Sequence, residues 1–78
     1  PSVTVPFTLG DAGRVRLAVY DVAGRQVRLL LDAEAAAGPH ALIWDGRDEA
    51  GRPAGSGIYF LRLEAAGASE SQKLVLLR

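Results

Sequence analysis

The chain has 78 residues, with nine basic and nine acidic side chains and no cysteine. Balanced charge argues against the basic surface that nucleic-acid or membrane-surface binding requires, and the lack of cysteine excludes disulfides and thiolate metal sites. No apolar run approaches the roughly 20 residues of a membrane-spanning helix. We therefore expect one domain, residues 1–78, near the lower size at which a single core is sufficient.

Residues 2–9 and 14–20 each alternate between apolar and polar side chains, which is typical of half-buried β-strands. Pro6 lies within the first of them, and because proline has no backbone N–H, we place that strand at a sheet edge. The inward-facing residues of both strands should enter the core; they are Val5, Phe7, Val15, Leu17 and Val19.

Residues 21–24 predict a hairpin turn, since aspartate favours the start of a type I turn and glycine accepts the left-handed position that follows. Residues 25–31 should be the returning strand, although Leu30 interrupts its alternation. The residues predicted to face inward on this strand are Val27, Leu29 and Leu31.

Residues 32–39 form the one helix-like segment. Asp32 could cap a helix, the alanines favour one, and Gly38-Pro39 would end it. A helix this short is not stable by itself, so we predict at most one helical turn in a crossover between sheets. A strand over residues 40–45 follows, with Leu42 and Trp44 on one face.

Residues 45–57 form a long polar loop between two aromatic residues. The glycines and the proline cannot continue a helix or a strand, and aspartates suit turns. Both aromatic rings point inward by alternation, where the indole N–H and the phenol hydroxyl should bond to loop backbone. The residues predicted to organise the loop are Trp44, Asp45, Gly46, Gly57 and Tyr59.

Three segments follow the loop. Residues 58–64 are the most strand-like run, residues 65–71 are a small-residue turn region, and residues 73–78 form a last strand. Their predicted core residues are Tyr59, Leu61, Leu63 and Leu74. The whole chain thus predicts six short strands separated by turns, which indicates an all-β antiparallel sandwich.

Asp45, Asp48 and Glu49 place three carboxylates within five positions, so a calcium site must be considered. Their spacing fails the EF-hand pattern, and aspartates beside glycine ordinarily cap turns. His40 is the only histidine. The sequence shows no nucleophile and orienting acid that would make it catalytic, and no set of three ligands that would bind a catalytic zinc. We predict that the chain is not an enzyme and has no catalytic, cofactor-binding or metal site.

Two surfaces could bind a ligand. A basic stripe for nucleic acid could form from Arg14, Arg16, Arg25 and Arg28. No aromatic stacking residues lie among them, so a solvated sheet face is the favoured interpretation. Trp44 and Tyr59 could stack on a sugar, but their inward positions favour a core role.

The last strand is apolar on both faces, from Leu74 to Leu77. One face should fill the core, and the other is either covered or exposed for docking. Val75 and Leu77 are therefore the candidate partner-docking residues.

Motifs along nearly the whole chain resemble one group of families. They are VYDVAGRQV at 19–27, WDG at 44–46, SGIY at 56–59 and KLVLLR at 73–78. They resemble the C-terminal immunoglobulin-like module of the flagellar hook-capping protein and the related C-terminal sorting domains of type IX secretion. The resemblance implies an immunoglobulin-like β-sandwich of six to seven strands with Greek-key connections, from the C-terminus of a larger protein.

The resemblance also implies a function. We expect a non-catalytic accessory module of a larger exported protein, used for secretion sorting or cell-surface attachment, through the surface that includes the last strand. The alternatives are a structural or assembly module, as in the hook cap, and a carbohydrate- or protein-binding sandwich. The expected partners are the parent protein's other domains and the secretion machinery. We expect a monomer outside the cytoplasm, secreted or on the cell surface.

Overall fold

The computed structural model describes all 78 residues, which fold into six β-strands. The strands are β1 (Val3–Leu9), β2 (Gly13–Asp21), β3 (Gln26–Ala35), β4 (Gly38–Trp44), β5 (Gly57–Ala65) and β6 (Ala68–Leu76). The structure contains no helix with the length and apolar character to span a bilayer. The predicted all-β fold is confirmed.

All strand pairs are antiparallel and form two sheets. The small sheet contains β1 and β4, and the large sheet has the order β3-β2-β5-β6. The chain therefore changes sheet after β1, after β3 and after β4. Pro6 lies in the small sheet, where each strand has one free edge, as its missing N–H predicted.

The core lies between the inner faces of the two sheets. Eight buried residues form its centre: Val5, Leu17, Val19, Trp44, Tyr59, Leu61, Leu74 and Leu76. Leu76 was not in the predicted core, and the other seven were. Four further predicted residues are half-buried against this cluster: Phe7, Val27, Leu42 and Leu63. Val15 is also buried, as predicted.

Leu29 is the one predicted core residue on the wrong face. The β2–β3 register shifts twice, so that Leu31 pairs with Leu17 but Leu29 pairs with Ala18, which leaves Leu30 without a partner. An extra residue of this kind is a β-bulge, and it reverses which side chains face the core. Leu30 therefore packs against the core, and Leu29 takes the outer face.

The helix-like prediction for residues 32–39 was wrong. β3 continues to Ala35 and β4 begins at Gly38, which leaves only two residues between the strands. Pairing with β2 adds ladder hydrogen bonds, and Arg14 makes an ion pair with Asp32 at 2.9 Å. These contacts outweigh the weak helical preference of alanine. Gly38 has φ of 111°, a conformation that suits glycine at the sharp change of sheet.

The turn predicted over residues 65–71 is much shorter. Ala66 and Gly67 alone connect β5 to β6, with φ of 52° and 78°, as in a type I′ hairpin. β6 consequently starts at Ala68, five residues before the predicted strand. Its first half gave no strand signal because these residues are exposed on both faces, so no apolar alternation was required.

Candidate functional site

Two core aromatic residues hold the central loop, residues 45–56. Trp44 ends β4 fully buried, and its Nε1 donates a hydrogen bond of 2.9 Å to the Arg47 carbonyl. The Tyr59 hydroxyl donates a hydrogen bond of 2.6 Å to the Gly55 carbonyl. The two rings meet edge to face, with centroids 5.2 Å apart. Each end of the loop is therefore joined to the core by one hydrogen bond from a packed ring.

Aspartates of the central loop cap its turns. Asp45 Oδ1 accepts a hydrogen bond from the Arg47 amide at 3.0 Å. Asp48 Oδ1 accepts from the Ala50 amide at 2.9 Å and from the Arg52 amide at 3.0 Å. These are the local side-chain-to-backbone bonds that make aspartate a turn residue.

Glu49 joins the central loop to the edge of β3. Its carboxylate accepts a hydrogen bond from the Leu29 amide, and its own amide donates to the Val27 carbonyl at 3.1 Å. Arg28 extends the contact, with Nη1 3.5 Å from Asp45 Oδ1. The three carboxylates considered for calcium are thus directed at separate amides and do not converge on a metal position.

Gly46 lies where the loop base meets both chain termini. Its φ is 75°, and a Cβ built there would come 3.0 Å from an Arg78 guanidinium nitrogen and 3.2 Å from the Pro1 carbonyl. The Gly46 carbonyl accepts from the Ala54 amide at 2.8 Å and also from Arg78. A side chain at this position would be strained and crowded. Gly57, the other predicted loop glycine, begins β5 opposite Leu76.

The remaining polar candidates have structural partners. His40 stacks on Phe7 with ring centroids 5.1 Å apart, and its Nε2 lies 2.7 Å from the Ala36 carbonyl. The arginines do not form a single stripe, because the β3 bulges direct Arg28 to the central loop. Both rings of the tryptophan–tyrosine pair are buried, as the favoured core interpretation predicted, so neither presents a face for stacking on a sugar.

The β2–β3 turn is organised by Asp21. Its Oδ1 accepts hydrogen bonds from the Ala23 amide at 2.9 Å and the Arg25 amide at 3.0 Å. These bonds, that from Arg25 first, favour the ionised carboxylate and lower the pKa of Asp21. Gly24 has φ of 83°, as the turn prediction required.

The predicted docking residues lie on an exposed apolar surface. Val75 is 54% exposed and Leu77 is 76% exposed. Val75 pairs with Ile58, and Phe60 is two positions further along β5 on the same face. We call Ile58, Phe60, Val75 and Leu77 the outer apolar patch. Alternation about the core residue Tyr59 is enough to place Ile58 and Phe60 outward, but only the strand register brings them beside Val75.

Two similarities relate the chain to known proteins. Residues 2–69 match the family model described as the FlgD Ig-like domain. The structure superposes on that of FLGD from P. aeruginosa with a TM-score of 0.74 and 24% identity, over 97% of this chain. The chain spans 61% of the length of that protein, so the likeness concerns the fold. No curated protein sequence matches the chain.

Proposed function

The chain belongs to the FlgD Ig-like domain family, and we propose from this membership that it is a structural assembly module of the flagellar hook-cap type. The family match over residues 2–69 is the observation that supports the proposal most directly. It favours the assembly alternative over the sorting function that we first expected. In this proposal the module works outside the cytoplasm, together with the other domains of its parent protein.

The geometry supports a role in binding and not in catalysis. The carboxylates of the central loop are hydrogen-bonded to backbone amides, and the lone histidine is stacked on a phenylalanine. The surface instead offers the outer apolar patch on the large sheet. Contiguous exposed apolar side chains commonly mark protein–protein contacts. We therefore assign the patch to contact with another subunit of the assembly.

Secretion sorting is the second candidate function. Val75 and Leu77 are exposed at the end of the last strand, where the resemblance to sorting domains would place recognition by the secretion machinery. The two functions use the same surface but differ in what is lost when the surface is changed.

The test replaces both docking residues in the full-length parent gene of the source organism, as Val75→Thr with Leu77→Thr. Threonine keeps strand propensity while removing apolar surface. Ile43→Thr is the matched control, because Ile43 is 66% exposed on the small sheet. Circular dichroism of the purified domain first verifies that each variant folds.

The assembly proposal predicts that hooks, counted by electron microscopy, are lost in the double variant and retained in the control. Normal hooks in the double variant would contradict it. Sorting is tested separately by fusing residues 1–78 to a secreted passenger in a host with type IX machinery. Export that fails only in the double variant would support sorting, and a passenger retained in the periplasm with the unmodified fusion would reject it.

A further inference from the structure

β1 has an edge without a partner beside an open groove. The small sheet has only two strands, so β1 pairs with β4 on one side and with nothing on the other. A free strand edge presents unpaired backbone N–H and C=O groups that another strand can use. Pro6, at the centre of β1, contributes a carbonyl but no N–H, so pairing depends on the other residues of the strand. The larger sheet extends past this edge, since β6 lines the groove opposite β1.

The groove has apolar residues on its β1 and β5 sides and polar residues on its β6 side. A cavity of about 330 Å³ lies between Phe7 of β1, Leu61 and Leu63 of β5, and Gln72 of β6. A second cavity of about 210 Å³ adjoins it and shares Leu63. The two together follow β1 along its second half. The groove therefore runs beside β1 from Val5 to Leu9.

Glu70 places a carboxylate in this groove. It pairs with Leu63 across the β5–β6 ladder, and directly opposed side chains lie on the same face of a sheet, so Glu70 points to the inner face. Leu74 and Leu76 occupy the same face further along β6 and are buried beneath the small sheet, whereas Glu70 is exposed. None of the ion pairs of the structure involves its carboxylate.

We propose that the groove between β1 and β6 binds an extended partner strand that pairs with the free edge of β1. Its apolar side chains cover Leu61 and Leu63, and a lysine or arginine pairs with Glu70. Strand addition of this kind obtains affinity from main-chain hydrogen bonds and specificity from alternate side chains. The inward side chains of β1 itself are all apolar, so a second copy paired through β1 would leave Glu70 without a cation.

The test uses two synthetic ten-residue peptides of alternating valine and threonine, with lysine or glutamate replacing one central valine. Binding to the 78-residue chain is followed by NMR, together with amide hydrogen exchange. The lysine peptide should bind saturably and slow exchange in β1 but not in β3. The glutamate peptide should bind at least about fivefold more weakly, as expected for replacing attraction by repulsion at a partly exposed site.

Charge reversal sharpens the test. Glu70→Lys should invert the preference, so that the glutamate peptide binds more tightly. Glu34→Lys is the matched control, because Glu34 is also an exposed carboxylate on an edge strand but lies on β3; it should leave the preference unchanged. Equal binding of both peptides, unchanged exchange in β1, or sedimentation showing a dimer that protects β1 would overturn the proposal. The outer apolar patch lies on the opposite face of the large sheet, so this result is independent of the hook-assembly test.

Discussion

β5 has two connections of opposite character at its two ends. The central loop before it is long and polar, yet Trp44 and Tyr59 tie it to the core. The β5–β6 turn after it has only two residues, and Ala66 adopts a left-handed conformation with φ of 52°. The hydrogen bonds of the flanking strands alone hold this turn in place. The long loop is thus positioned by anchors in the core, whereas the two-residue turn is positioned by the strands that it joins.

Removing the indole anchor should have the largest effect. Trp44→Ala should lower the free energy of unfolding by about 3–5 kcal/mol, the range for truncating a buried large aromatic residue. In a domain of this size that approaches the whole stability. Chemical denaturation measures the change. Ile43→Ala is the control, because Ile43 precedes Trp44 but its side chain is exposed. This substitution should change the free energy of unfolding by no more than about 0.5 kcal/mol. A wild-type denaturation midpoint for Trp44→Ala would contradict the anchor.

Removing only the phenol hydroxyl should separate anchoring from packing. Tyr59→Phe keeps the ring and deletes the bond to the Gly55 carbonyl, so it should cost about 1–2 kcal/mol. Amide exchange should accelerate over residues 51–57 and stay unchanged in the strands. Tyr20→Phe is the control, because the Tyr20 hydroxyl meets Arg16 on the outer face. If exchange in the loop did not change, the loop would be held by its own turns.

The unanchored turn should be open to improvement. Ala66→Asn should raise the free energy of unfolding by about 0.5–1 kcal/mol, because asparagine tolerates the left-handed conformation and Asn-Gly is the preferred pair of a type I′ hairpin. Thermal unfolding would measure the gain. Ala23→Asn in the other hairpin turn should give no such gain, since Ala23 has no positive φ. A loss of stability at Ala66 would show that the turn carries no strain.

The β2–β3 turn is intermediate, because its anchor is an ionisable side chain of the turn itself. The folded state lowers the pKa of Asp21, so the unfolded state binds more protons in acid. The stabilisation by Asp21 should be complete above about pH 4, where an unperturbed aspartate is ionised, and lost as the pH falls through the lowered pKa. Asp21→Asn should therefore be less stable than wild type at neutral pH. Denaturation measured between pH 7 and pH 2 should show the difference shrinking, and a constant difference would contradict it.

The sequence alone determined the features that depend on neighbouring residues. Alternation over residues 2–9 and 14–20 predicted β1 and β2 because a strand with one buried face has period two. The Asp21 turn was likewise predictable, since its bonds link residues no more than four positions apart. In the last strand, which is apolar on both faces, the period of two places Val75 and Leu77 on the face opposite the core residue Leu74.

Tertiary structure decided the features that depend on a partner strand or on the opposite sheet. Residues 32–35 favour a helix locally and become strand through pairing with β2. Leu29 turns outward because β3 contains one extra residue, Leu30, opposite the step from Leu17 to Ala18 in β2. The first half of β6 has no strand pattern, since the two-stranded sheet does not cover it. The groove at Glu70 has the same cause, because one sheet has two strands and the other has four. Long-range strand pairing sets these numbers, and the pattern of neighbouring residues does not reveal them.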